Sequence, residues 1–460
     1  MNNWSLIIEI SLLSVFLGIA TYLKRNISFL EKFLIPNSII AGFIGLIVGP
    51  EVLKLIPLDS DSLGNLVYHL MAVGFIALAL KERNVEKNTE VTNTGAFIVS
   101  TYLIQGIIGF LITIFLALTV MPDLFPPFGM LLPLGYGQGP GQAYSIGKQW
   151  EAVGFPHGGN IGLTIAALGF LWACIGGVPL INYLVRKHKF HRHGDKNHPV
   201  YTSPMVREED SPEEIPLSES IDRVTVQIFL IGIIYLITYL SIKGASLLLA
   251  NLGSVGETLA NLLWGFHFII GSLFALGFRI ITDTLKKNKI MLRNYPNNFL
   301  LQRIAGGSFD FMVTAGIAAI SLTIVKDYWL PIFLISSIGM IITMVYVTYV
   351  CKKVYSSHII ESTVALYGML TGTISTGLAL LREVDPNFET PVSKHLVLGS
   401  GVGLIFGFPL MFILSIPVTG YVTGQTSLYY LTLLIMAIYL GILFLIILLN
   451  RRKEKKKAKQ

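Results

Sequence analysis

Charge and cysteine are scarce in this chain. Charged residues make up 13% of its 460 positions and hydrophobic ones 53%, with a mean hydropathy of +0.66. Soluble globular domains carry about 25% charged residues, so an ordinary soluble fold is excluded. The two cysteines, Cys174 and Cys351, lie far apart at or near apolar segments, which leaves a disulfide framework unsupported. The apolar segments hold no metal-ligand cluster and no nucleophile–base pattern, which argues against an enzyme. The net charge of +7 does not mark a nucleic-acid partner, because the basic residues sit between apolar segments and in the tail from Arg451 to Lys459. There they report orientation in a membrane. The first segment, Trp4 to Leu23, lacks the basic start and small-residue cleavage site of a signal peptide and is expected to remain as a span.

What recurs is the apolar run of about twenty residues, long enough to cross a hydrocarbon core of about 30 Å. Such runs cover 4–23, 33–50, 66–80, 95–120, 161–185, 225–249, 259–278, 304–324, 330–350, 397–421 and 428–449. An all-α polytopic membrane protein follows, its partner the lipid bilayer. A polar stretch from Arg186 to Arg223 divides the runs. Its histidines between Lys187 and His193 are irregularly spaced, which suits a basic cytoplasmic loop better than a metal site.

Between the runs ending at 120 and starting at 161 lies Leu134-Gly-Tyr-Gly-Gln-Gly-Pro-Gly-Gln-Ala-Tyr-Ser145, with glycines alternating around Pro140. Proline lacks an N–H and glycine brings no side chain, so this stretch is no plain helix. Broken backbone at membrane depth is tolerated only inside protein or against a wet cavity. Basic residues in short connections stay cytoplasmic. Lys24, Arg25 and Lys32 put the end of the first run inside and the N-terminus outside. Lys81, Arg83 and Lys87 put the next basic turn inside, and Met121–Gly129 has no basic residue and suits the outside. If the glycine stretch crossed completely, Arg186, Lys187, Lys189 and Arg192 would emerge outside. It is therefore expected to dip in and return, over 130–151. The same counting from Arg223, through Arg279–Arg293 and Lys352–Lys353 to Arg451, makes 362–383 re-entrant from the inside and the C-terminus cytoplasmic. The expectation is eleven spans and two re-entrant elements.

The two halves repeat. Tyr136-Gly137 with Gly141 returns as Tyr367-Gly368 with Gly372, Ser145 matches Thr376, and the run 71–80 parallels 313–322. One copy starts outside and the other inside, so the repeat is inverted: 1–186 and 224–421, separated by a cytoplasmic loop at 187–223 and followed by an additional span and tail at 422–460. Inverted repeats with broken elements in matching positions are the architecture of secondary transporters.

On these motifs, and on Ser28–Pro36, Ala41-Gly42, Gly154-Phe155 and Ala166–Gly177, the chain resembles the sodium/glutamate symporter family over most of residues 1–420. The resemblance implies sodium-coupled uptake of glutamate, a plasma (bacterial inner) membrane location and a homodimer. The family's first motif reads Gly-Gly-His-Gly, whereas this chain has Gly135-Tyr136-Gly137-Gln138-Gly139 and no histidine in the second copy. That leaves glutamate, a related amino acid or another small carboxylate such as a dicarboxylate as cargo. A proton-coupled carrier and an ion channel stand as alternatives; two opposed dead-end elements suit alternating access better than a continuous pore.

The expected substrate site is Tyr136, Gly137, Gln138, Gly139, Gly141, Gln142, Ser145, Tyr367, Gly368, Gly372 and Thr376. Half-helix N–H groups attract a carboxylate there, and side-chain amides and hydroxyls orient it. Na⁺, the expected coupling ion, would use neutral or anionic oxygens of Thr371, Thr373, Ser375 and Asp310. Asp310 lies about 10 Å along a helix from Arg303, at a depth where an ionisable group is costly. Glu9 and His267 read as scaffold residues.

Overall fold

A computed structural model describes residues 4–27, 30, 35–81, 89–187, 217–289 and 295–457. The chain is helical: α1 (Ser5–Asn26), α2 (Asn37–Val48), α3 (Ser60–Leu80), α4 (Thr89–Thr119), α5 (Leu131–Tyr136), α6 (Pro140–Glu151), α7 (Gly158–Lys187), α8 (Leu217–Leu249), α9 (Gly253–Gly265), α10 (His267–Lys287), α11 (Asn298–Ala318), α12 (Leu322–Asp327), α13 (Trp329–Val354), α14 (Ile359–Thr371), α15 (Ile374–Leu381), α16 (Val392–Thr423) and α17 (Ser427–Lys457). No strand occurs among the described residues. Nine described helices are long and apolar enough to cross a membrane. Two of the eleven expected runs fall outside those nine. The run 33–50 contains the 12-residue α2. The run 304–324 ends its helix at Ala318 and restarts at Leu322. The expected run 259–278 is interrupted at Phe266, where α9 gives way to α10. The histidine-rich run 188–193, the rest of the loop to 216, and most of 28–34 lie outside the described residues.

The chain divides into two units, one made of Met1–Tyr68, Val85–His193 and Met312–Gln460, the other of His69–Asn84 and Gly194–Phe311. Lipid tails are as apolar as leucine, so helices in a bilayer associate through close packing and interhelical hydrogen bonds. The first unit follows that rule around α4, whose 31 residues include buried Asn93, Thr94, Ser100, Thr101, Gln105 and Thr113. Tyr346 on α13 donates to Ser100 Oγ at 2.8 Å, and Asn450 on α17 donates to Asn93 Oδ1 at 2.9 Å. The last helix, expected as an addition to the repeat, is thus packed along α4, with Tyr429 edge-on to Phe110 at 5.7 Å.

At the end of α11 in the same unit the chain turns through 319–321. Asn160 on α7 holds that turn as a peptide would, donating to Ala319 O at 2.9 Å and accepting from Ser321 N at 3.0 Å. An aromatic cluster flanks α6: Phe125 stacks on Phe155 at 4.9 Å and meets Tyr421 edge-on at 4.8 Å. Glu9 is buried and accepts from the Ser62 hydroxyl.

The second unit packs the end of α3 against α8, α10 and α11 through Ile76, Leu80, Leu230, Ile234, Ala275 and Ala305. Buried Arg279 donates to Leu80 O at 2.7 Å and so caps α3. His267 is buried, with Nδ1 3.0 Å from Trp264 O.

Candidate functional site

The glycine stretch folds as helix, break, helix. Pro140 cannot continue a helix from Tyr136, because it lacks the N–H and its ring would strike the preceding turn; it is suited instead to the first position of a new helix. The break therefore falls just before it, at Gly137–Gly139. Gly139 has φ +93° and ψ 179°, a conformation open essentially to glycine alone. In the second element no proline intervenes. There Gly372 (φ −134°, ψ −112°) closes α14, and Thr373 (φ −136°, ψ 174°) opens α15 through a capping box with Thr376. The aligned motifs therefore break one turn apart: Gly137 and Gly372 sit at the breaks, while Gly141 and Gly368 lie inside α6 and α14.

The two breaks face each other. A side chain built at Gly139 would meet only Thr373 Cγ2, at 3.6 Å. Each motif tyrosine reaches across to the other half of the chain. Tyr136 donates to Ser336 O on α13 at 2.6 Å, and Tyr367 donates to Trp172 O on α7 at 2.9 Å. Both tyrosines are fully buried.

The half-helix ends differ in chemistry. The N-terminus of α6 has no side-chain cap, and Pro140 has no N–H to offer, so the free donors are those of Gly141 and Gln142. The N-terminus of α15 is already served by Thr373 and Thr376. At the other polarity, Tyr102 on α4 donates to Gly137 O at 3.1 Å, and Gln105, one turn along, donates to Leu370 O near the end of α14 at 2.8 Å. The Tyr102 ring also fills the space beside Gly137, where a Cβ would collide with it.

The chain matches the family model for the sodium/glutamate symporter over residues 3–369. This chain belongs to the sodium/glutamate symporter family. No curated protein and no solved structure matches it. The symporter is accordingly a multi-pass membrane transporter and not an enzyme, with Na⁺ as its coupling ion. The matched segment includes the whole first element and stops before Gly372.

Of the residues expected at the symporter's site, Tyr136, Gly137, Gly139, Gly141, Gln142 and Ser145 are buried together on α5, the break and α6, with Gln138 half-buried. Tyr367, Gly368, Thr371, Gly372 and Thr376 are buried around the second break, Thr373 is half-buried, and Ser375 is exposed. The Thr371 hydroxyl donates back to Tyr367 O at 2.6 Å, leaving its lone pairs uncommitted. Asp310 is exposed on the part of α11 that belongs to the second unit, so its place in a sodium set rests on the sequence. The Arg303 guanidinium lies over the Phe299 ring, 5.1 Å from its centroid. Sequence reasoning did not name Tyr102 and Gln105. The available signal was two polar residues one turn apart inside an apolar helix, a placement that is rarely idle in a membrane.

Proposed function

We propose that the two broken helices form the transport site of a sodium-coupled symporter for glutamate or a closely related small carboxylate, working by alternating access. The observation that carries this reading is the apposition of Gly139 and Thr373. It brings two interrupted helices from different halves of the chain to one place, where unpaired backbone groups can replace the hydration of a charged solute. The substrate carboxylate is assigned to the uncapped N-terminus of α6, where Gly141 and Gln142 donate and the helix dipole is positive. Gln138, Gln142 and Ser145 orient the rest of the solute. Sodium is assigned to the negative C-terminal end of α14, with Thr371, Thr373 and Ser375 supplying oxygens. The break divides this stretch into helices of six and twelve residues, about 9 and 18 Å long; re-entry rather than crossing is supported by the basic residues of the flanking connections. The reading of 1–186 and 224–421 as an inverted repeat rests on the matching Tyr136-Gly137 and Tyr367-Gly368 motifs, each of which runs into a helix break.

The test is uptake of labelled glutamate into proteoliposomes under an inward sodium gradient, with unlabelled amino acids and dicarboxylates as competitors. Saturable, sodium-dependent accumulation is expected, with four- and five-carbon dicarboxylic compounds competing best. Accumulation that follows a proton gradient and ignores sodium would defeat the proposal.

A further inference from the structure

Gln105 is 1% exposed, midway along α4. Its Nε2 donates to Thr343 Oγ1 at 2.9 Å and to Leu370 O at 2.8 Å. Leu370 O is a carbonyl and can only accept. The Thr343 hydroxyl has its one proton committed to Gly339 O at 2.7 Å. Both neighbours on that side are therefore acceptors, and the amide can stand only with its nitrogen towards them. The other end follows: Gln105 Oε1 is buried and has no hydrogen-bond partner among the described residues.

A bare amide oxygen in an apolar interior is costly, and such groups persist where a bound ion or water completes them. Here the missing partner is a positive or proton-bearing species. The amide is held by its nitrogen at the last turn of α14, where the final carbonyls lack partners within the helix and the dipole is negative. An anion is disfavoured there. The Thr371 hydroxyl, next in sequence to Leu370, keeps its lone pairs while donating to Tyr367 O. The amide oxygen, the Thr371 hydroxyl and the helix-end carbonyls are all uncharged oxygens, the kind of group that holds a desolvated alkali cation in a broken-helix transporter.

We propose that Gln105 is a sodium-binding residue of the symporter, its Oε1 coordinating the coupling ion at the C-terminal end of α14. This rests on the reading of the two breaks as the transport site and extends it to a helix that has no break. One side chain then ties three parts together: its nitrogen fixes α14 to α4 and α13, and its oxygen waits for the ion. Occupancy by sodium stabilises the second break in the arrangement that faces Gly139, which couples ion binding to the substrate position.

The test uses the purified full-length protein and two readouts. The first is thermal unfolding against NaCl, with potassium chloride holding ionic strength constant. The second is sodium-driven glutamate uptake in proteoliposomes. Wild type is expected to show a sodium-specific rise in Tm. Gln105→Met, which keeps the length and removes the oxygen, and Gln105→Lys, which still donates but offers no oxygen, are both expected to lose it. In uptake they are expected to raise the half-saturating sodium concentration about tenfold or more, with glutamate KM at saturating sodium changed less than about threefold. Thr343→Val removes one acceptor from the amide and leaves Oε1 in place; it is expected to keep the sodium-specific shift. A wild-type sodium response in both Gln105 variants would overturn the proposal and leave the oxygen to water. Equal loss in Thr343→Val and Gln105→Met would overturn it too, reducing Gln105 to a clamp. A wild type with neither sodium-specific stabilisation nor sodium-driven uptake would instead bring down the underlying reading of the site.

Discussion

At Gly139 the backbone conformation and the surroundings make separate demands. With φ +93° and ψ 179° the position costs about 1–3 kcal/mol for any residue with a Cβ. Yet the space beside it is open, with Thr373 Cγ2 at an ordinary 3.6 Å. Gly139→Ala therefore introduces no clash and acts only by turning the backbone, which re-aims the free N–H groups of Gly141 and Gln142. The expected outcome is normal membrane insertion, with glutamate KM raised about tenfold and sodium dependence nearly unchanged. Uptake kinetics on the reconstituted variant check this, and wild-type KM would return the glycine to a packing role. Gly137 differs in kind. Its φ of −84° suits any residue, and it is glycine because the Tyr102 ring occupies the place of its side chain.

Among the elements, α17 shows how weak single contacts add up. Asn450 binds Asn93 Oδ1 at 2.9 Å, the Tyr439 hydroxyl donates to Phe406 O, and Arg451 donates to the carbonyls of Lys352 and Lys353 at the end of α13. Met436 sits against Gly106, next to Gln105 in sequence. An interhelical hydrogen bond in a bilayer contributes about 0.6 kcal/mol on average, so Asn450→Leu alone is expected to leave uptake near normal. Deleting residues 425–460 removes all these contacts and bares one side of α4, the helix that carries Tyr102 and Gln105. The truncated symporter is expected to unfold at a clearly lower temperature in detergent and to lose most sodium-driven uptake. Thermal melts of both variants decide this; an unchanged melting point after truncation would show that α17 does not brace the unit.

For the whole molecule, orientation and coupling are open to direct measurement. Cysteines introduced at Lys187 and Lys353, on a background in which Cys174 and Cys351 are replaced, are expected to react only with reagents on the cytoplasmic side. Labelling of either from outside would dismantle the proposed re-entrant topology and the inverted repeat with it. Asp310→Asn addresses the ion. If the exposed carboxylate on α11 contributes to sodium binding, the variant weakens sodium dependence and leaves the pH profile of uptake in place. A shifted pH optimum with sodium dependence intact would mark Asp310 as a proton carrier instead.

Several features of this symporter were legible in its residues alone. Scarce charge and recurrent apolar runs dictate a helical membrane protein, since only helices and closed barrels satisfy the backbone in lipid. Pro140 and its glycines dictate a break, because a missing N–H and missing side chains act locally wherever the segment lies. Tyr136 and Tyr367 could be paired by their matching motifs. The location of the second break was not legible: Gly368 and Gly372 are equally permissive, and the capping of Thr373 by Thr376 places the break at the later one. Nor could the interruptions at Phe266 and at 319–321 be read from hydropathy, because the second depends on an amide from Asn160, far away in sequence. Tyr102 and Gln105 remained hidden for the same reason. Their spacing says only that they share a face of α4, and it is the packing of that helix against both breaks that gives one a carbonyl to bind and leaves the other with a bare oxygen.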